Sequence, residues 1–229
     1  MRILLFSIAL IVISRAGYTQ VINIESNIYY ASYSMKDLHD VQSLLMWYNP
    51  VPLKAVATFP AYFAYDLLTS YKLDDVSQIG IWGSYRSTGA RNSYADYSGS
   101  YTTDFLVESV VIGPGYQGSI RTRPGIIRIN LRVGYSWNSL DIVQTIKTQD
   151  SSEFEKKSTP SASLPILIGI SYRKEIWKGY INASLLYEYA KLDYPVTQSG
   201  ALVDWSGLKI GLGVGFDFTK KPVDPSGSH

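Results

Sequence analysis

From Gly207 to Phe218 the chain alternates without a break. Leu208, Ile210, Leu212, Val214, Phe216 and Phe218 are large and apolar, while Gly207, Lys209, Gly211, Gly213, Gly215 and Asp217 are glycine or charged. A strand has a side-chain period of two, so the bulk lies on one face and the small or charged residues on the other. A helix would scatter the same residues around its axis. A soluble sandwich strand turns its bulky row inward and sets polar, not tiny, residues outside. Bulk facing lipid, backed by small residues in a crowded lumen, is the arrangement of a membrane barrel strand.

The remainder of the chain repeats this pattern. The first strand sets Ile22, Ile24, Ile28 and Tyr30 against Asn23, Glu25, Asn27 and Tyr29. A second spans about 54–67, with Ala57, Phe59, Ala61, Phe63, Tyr65 and Leu67 on its apolar face and Pro60 on the other. The third, 77–87, carries Ile79, Ile81 and Tyr85, and the fourth, 101–113, carries Phe105, Val107 and Val111. Alternation is cleanest in the fifth, through Ile127, Ile129, Leu131, Val133, Tyr135 and Trp137. The sixth places Leu164, Ile166, Ile168, Ile170 and Tyr172 outward, and the seventh Ile181, Ala183, Leu185, Tyr187 and Tyr189. The 207–218 stretch is the eighth. Residues 35–48 change period: Leu38, Val41, Leu45 and Tyr48 fall at helical spacing, with Ser34 as N-cap and Asn49-Pro50 as the stop.

Connections alternate in length. Long ones at 31–53, 88–99, 141–160 and 192–204 are separated by shorter ones at 68–76, 114–125 and 174–179. Outer-membrane barrels keep periplasmic turns short and surface loops long. The sequence therefore predicts an all-β fold: an eight-stranded antiparallel up-and-down transmembrane β-barrel, with a short helical insertion in the first surface loop and both mature termini in the periplasm. Nineteen Tyr and five Trp suit aromatic girdles at two water–lipid boundaries.

Residues 1–20 have the form of a signal peptide. Arg2 is followed by an apolar run from Ile3 to Ile13 broken only by Ser7, then by small and polar residues. Eleven residues are too few for a helix to cross a core that needs about 20. The predicted domains are the signal peptide at 1–20, the barrel at 21–219 and a periplasmic tail at 220–229, rich in Pro, Gly and Ser. The formal charge of +2 comes from Arg2 and Arg15, and without them 19 bases meet 19 acids, which argues against a nucleic-acid partner. The chain has no Cys, which excludes disulfides, thiolate metal sites and a Cys nucleophile.

If the apolar rows set the phase of each strand, charged strand residues belong on the opposite face. Eleven take that parity: Glu25, Asp66, Arg86, Asp104, Glu108, Arg128, Arg132, Arg173, Glu188, Lys209 and Asp217. An eight-stranded lumen is just wide enough to be filled by side chains, so these form the expected charge network of a plugged lumen. With a turn centred near 119, Glu108 and Arg132 are predicted to face each other. A narrow polar pore is the rival reading of the same residues.

The signal, the eight strands, the 87–99 segment (Ser87 through Gly99) and the Gly-x-Gly-x-Gly-Phe-x-Phe ending resemble small outer-membrane β-barrel proteins of the Bacteroidetes type, similar in architecture to the OmpA membrane domain. That resemblance implies a Gram-negative outer membrane, lipid and the barrel-assembly machinery as partners, and no catalytic residue, cofactor or metal to carry over. The leading reading of the chain is a non-enzymatic barrel whose surface loops and helix contact an extracellular ligand, protein partner or matrix. Ten residues follow Thr219, where such barrels end on an aromatic.

Other chemistry is sparse. The Gly211/Gly213/Gly215 series lacks the strand–loop–helix setting and the lysine of a phosphate loop. His39, beside Asp37 and Asp40, is the base that a lipid-modifying or hydrolytic enzyme would use, but no serine is specified as its nucleophile. Asp96 and its hydroxyl neighbours suggest Ca²⁺ without matching an EF-hand loop.

Overall fold

The computed structural model describes residues 21–190, 193–194 and 203–219. The predicted signal peptide, the periplasmic tail and most of the last surface connection lie outside these residues. In chain order the elements are β1 (Val21–Ala31), α1 (Lys36–Tyr48), β2 (Lys54–Thr58), β3 (Tyr62–Lys72), β4 (Ser77–Asp96), β5 (Gly99–Thr122) and β6 (Gly125–Val133). They continue with β7 (Tyr135–Thr148), β8 (Ser152–Ser163), β9 (Ile166–Ile176), β10 (Gly179–Tyr189), β11 (Asp193–Tyr194) and β12 (Gly207–Thr219).

All pairings are antiparallel, and they close on themselves. β12 pairs with β1, β1 with β3, β3 with β4 and β4 with β5. The ring continues from β5 to β6, β6 to β9, β9 to β10, and β10 back to β12. Three ring strands are interrupted. β2 and β3 are one strand broken at Phe59 and Pro60, β6 and β7 one broken at Gly134, and β8 and β9 one broken at Leu164 and Pro165. Counted this way, the ring is the predicted eight-stranded up-and-down barrel, and α1 is the predicted insertion between its first two strands.

The inside-out distribution is complete at the level of the belt. Ile24, Ile28, Ile129, Leu185, Ile210 and Leu212 are exposed, while Glu25, Asn27, Arg128, Glu188 and Lys209 are buried. The 11-residue strands β1 and β10 have the length that a tilted strand needs to span lipid, about 9–11 residues. β4 and β5 have 20 and 24 residues, so their distal halves rise well beyond that belt.

This length corrects the reading of the surface. Residues 88–99 and 141–160 are not loops. They are ladder-paired continuations of the barrel strands, turning only at 97–98 and 149–151. The turn expected over 114–125 is likewise confined to 123–124, because Gly113, Pro114 and Gly115 remain in β5, opposite Trp82, Ile81 and Gly80. β5 also has the opposite phase to the one predicted. Phe105, Val107 and Val111 are buried, and Leu106, Val110 and Ile112 face outward.

Two smaller corrections concern the first surface connection. Phe59 does not continue an outward row: it takes a left-handed conformation (φ 45°) before Pro60 and is buried. A proline cannot donate to the ladder, so the strand breaks there and restarts in phase at β3. α1 is entered not through a Ser34 cap but through Met35, also left-handed (φ 44°), with no side-chain cap. Its inner side holds Leu38 and Gln42, Val41 and Leu45 pack at its flank, and Tyr48 is exposed.

The glycines of β12 make room for lumen aromatics. A Cβ at Gly211 would overlap the Tyr29 ring, and one at Gly215 the Tyr180 ring. The alternation that makes β12 so legible is thus half lipid contact and half space for its two neighbours, β1 and β10.

Candidate functional site

The lumen is filled in tiers, each assembled from strands distant in sequence. Nearest the short-turn end, Arg173 of β9 pairs with the partly exposed Asp217 of β12 and reaches Glu175 at 3.6 Å. Its guanidinium lies 3.6 Å from the Tyr180 ring centroid, and Asn23 donates to Asp217 at 2.6 Å.

The middle tier is centred on Glu25. Arg128 approaches its Oε2 at 2.7 Å, the Tyr180 hydroxyl donates to the same oxygen at 3.0 Å, and Asn27 and Asn182 donate to Oε1 at 3.0 and 2.7 Å. Beside it Arg132 donates to Asp66 at 3.0 Å, with its guanidinium 5.8 Å from the Trp82 ring centroid. Gln117 links the two sides, accepting from Arg128 and donating to Asn130. Around Glu25 this is the environment a buried ion needs: an opposite charge, with neutral groups taking up the remaining lone pairs.

In the upper tier Glu188 of β10 is clasped between two cations. Arg86 of β4 donates to Oε1, and Lys209 of β12 lies 2.8 Å from Oε2. Trp205 covers Arg86, with its ring centroid 4.5 Å from the guanidinium carbon, and donates to Asn138 at 3.0 Å. Tyr33 packs edge-on against Trp205.

Above this tier the interior changes character. Met35, Leu38, Phe59, Ala90, Phe105 and Val107 form an apolar core roofed by α1, with Leu140 and Ile142 packed on it. Gln42 fastens the helix to the sheet, donating to Ala57 O at 2.9 Å and Asn92 Oδ1 at 2.8 Å. The polar lumen therefore ends beneath an ordinary hydrophobic core. His39 belongs to that core's edge, its ring edge-on to Phe59 at 5.2 Å.

Eight of the eleven predicted lumen residues are enclosed: Glu25, Asp66, Arg86, Arg128, Arg132, Arg173, Glu188 and Lys209. Asp217 is at the rim. Asp104 and Glu108 are misplaced by the prediction, for they stand on the outer face of β5. Asp104 accepts from Arg91 of β4, and Glu108 accepts from the Tyr85 hydroxyl at 3.1 Å. The expected Glu108–Arg132 pair does not form. Because the turn lies at 123–124, Arg132 is opposite Gly115, and Glu108 is opposite Ser139. The neutral members of the network, Asn23, Asn27, Gln117, Asn130, Tyr180 and Asn182, were not singled out by sequence. Their signal was parity alone, opposite to the apolar row.

Beyond the belt, β4, β5, β7 and β8 form a continuous sheet. Its outer face carries two cross-strand ion pairs, Arg91–Asp104 and Lys156–Asp141. The Lys156 ammonium and the Ser158 and Ser139 hydroxyls hold the Asp141 carboxyl below its ordinary range. At the β4–β5 tip the oxygens of Asp96 are used by the turn itself. Oδ1 accepts from the Ser98 amide and hydroxyl, and Oδ2 from Tyr94. Among the described residues no group of three or more His, Cys, Asp or Glu side chains is placed to hold a metal ion.

A closed antiparallel ring with an apolar outer belt and a charged, packed interior defines a transmembrane β-barrel. No protein-family model matches the chain, and no curated protein matches it either. Among solved structures it is similar to Ail, the attachment invasion locus protein of Yersinia pestis, at 17% identity over 87% of this chain and 98% of that one, with a TM-score of 0.40. It is similar also to Neisserial surface protein A, at 16% identity over 87% and 97% with a TM-score of 0.36. The N-terminal β-barrel domain of Pseudomonas aeruginosa OprF matches at 17% identity over 88% and 100%, with a TM-score of 0.28.

Proposed function

We propose that the protein is a non-enzymatic outer-membrane barrel of a Gram-negative bacterium, of the Bacteroidetes type its sequence resembles. Its lumen is a salt-bridged plug, and its long sheet and helix are held outward for an extracellular ligand or protein. The observation that carries this reading is the continuation of β4, β5, β7 and β8 beyond the belt as one ordered sheet with its own core under α1. A conduit has no use for a hydrophobic core across its mouth. A platform has, because a sheet projecting into water needs a packed face to stay ordered.

The asymmetry of the two rims supports one orientation. The ends of β1 and β12, paired at Val21 and Thr219, share a rim with the short turns at 73–76, 123–124 and 177–178, and short turns are the mark of a periplasmic rim. Membrane lipid surrounds the belt, and the barrel-assembly machinery inserts it. Trp137, Tyr135 and Tyr85 mark the outer boundary and Tyr71, Tyr116 and Phe218 the inner one.

Intact cells treated with an impermeant lysine-biotinylating reagent test the orientation. Lys156 and Lys157 on β8 are expected to be labelled, and Lys174 and Lys178 only after the outer membrane is permeabilised. Labelling of Lys178 on intact cells would reverse the orientation and remove the platform from the outside. In planar bilayers the reconstituted protein is expected to pass no stepwise current. Discrete conductance steps would restore the pore reading.

A further inference from the structure

The upper lumen tier has more charge than its protein partners balance. Seven charged side chains of the belt interior are sealed from solvent, each 3% exposed or less: Arg86, Arg128, Arg132 and Lys209 against Glu25, Asp66 and Glu188. In the middle tier the two cations and two anions cancel pairwise. At the rim Arg173 has Asp217 and Glu175. Among the described residues, the surplus positive charge is therefore localised where Arg86 and Lys209 share Glu188 alone. Asp204, toward the mouth, is only half-buried, and its Oδ1 is taken by the Ser206 amide.

Open donors occur here as they do on Arg128 and Arg132, but here they coincide with the surplus charge. Arg86 uses Nη1 on Glu188, while its Nε and Nη2 meet no acceptor among the described residues. Lys209 Nζ contacts Glu188 Oε2 at 2.8 Å and has no other acceptor among the described residues. The Tyr33 hydroxyl, from the chain just above, is also buried without an acceptor. Water satisfies donors but leaves the charge uncompensated, and an uncompensated buried charge is strongly unfavourable. An anion does both. The surplus is a single charge, so a monovalent anion neutralises the tier where a divalent one would overshoot it. The walls, Trp205, Tyr33 and Asn138, are themselves buried, so the occupant is small.

We propose that the upper lumen is a binding site for one small monovalent anion of the halide class, held by Arg86 Nε and Nη2, Lys209 Nζ and the Tyr33 hydroxyl beneath Trp205. The anion completes the plug: it is a structural ligand, not a permeating one. This rests on the lumen packing alone and does not require the outward sheet to have a partner.

The test compares urea unfolding of the protein in phosphatidylcholine vesicles in sodium bromide, sodium chloride and sodium gluconate at equal ionic strength. A ligand at about ten times its Kd lowers the unfolded fraction about tenfold, so the halide curves are expected to lie at higher urea than the gluconate curve. Lys209→Met removes the surplus cation. It is expected to make the three curves coincide, whereas the surface control Lys156→Met leaves the halide shift intact. Coincident curves for the unsubstituted protein overturn the proposal, and so does an equal halide shift in Lys209→Met. Should that variant not insert, crystals of the unsubstituted protein grown in bromide decide the matter. Anomalous density beside Arg86 Nη2 supports the site, and none there refutes it.

Discussion

Glu188→Gln is expected to be the most damaging single substitution in the barrel. Glu188 is fully enclosed and, among the described residues, is the one carboxylate shared by Arg86 and Lys209 in the upper tier. Amide replacement keeps the volume but leaves two buried cations facing each other. Breaking a buried ion pair from one side costs about 3–5 kcal/mol, and here two pairs are lost together. Urea unfolding in lipid vesicles should show the loss directly. Glu108→Gln is the matched comparison: the same chemistry on the outer face, next to Tyr85, where a change within about 0.5 kcal/mol is expected. Equal midpoints for the two variants would mean that the lumen charges are not a dry, paired network.

Leu212→Arg should be the most damaging change on the outer surface. Leu212 is 71% exposed, in register with Ile28 on one side and Ala183 on the other. By ordinary soluble-protein logic an exposed leucine tolerates arginine well. In lipid the same change costs about 2–4 kcal/mol near mid-depth and about 0–1 near the boundaries. Phe154→Arg supplies the contrast: Phe154 is 68% exposed on the outer face of the projecting sheet, beyond the belt. Inserted fraction and urea midpoint in vesicles should fall for Leu212→Arg and stay near the parent for Phe154→Arg. If both were tolerated, the belt would not be embedded in lipid.

The two positions also show what the sequence could and could not convey. Within the belt, lipid excludes charge, so the apolar row of β12 or β6 reveals which way every side chain points. Beyond the belt both faces of a strand meet water or a water-like boundary, and that exclusion lapses. Asp104 and Glu108 are on the outer face for this reason, and the expectation that strand charges face inward fails for β5. The Gly113-Pro114-Gly115 run misled in a second way. It looks like a turn, yet a ladder tolerates its proline, and the chain reverses only at Arg123 and Pro124. Moving that reversal by a few residues changed which acid Arg132 meets. Parity gives direction but not height, and the partners across the lumen depend on height, through strand tilt and stagger. Glu188 was therefore legible as an inward residue, while its sharing between Arg86 and Lys209 was not.

The lumen pairs join residues that are remote along the chain: Glu25 with Arg128, Asp66 with Arg132, Arg86 with Glu188. Of these six ions only Glu188 also meets a counter-charge on the neighbouring strand of its own hairpin, Lys209 of β12. A half-built sheet of the first four strands would hold Glu25, Asp66 and Arg86 with every partner still missing, and a sheet of the last four would hold Arg128, Arg132, Glu188 and Lys209 with a single acid among them. Pairing of Glu25, Asp66 and Arg86 is thus a property of the closed ring and of neither half of it. A partial sheet would carry unpaired ions into hydrocarbon, which is strongly unfavourable. Closing the ring seats β12 between β1 and β10, where its glycines leave the room that Tyr29 and Tyr180 fill.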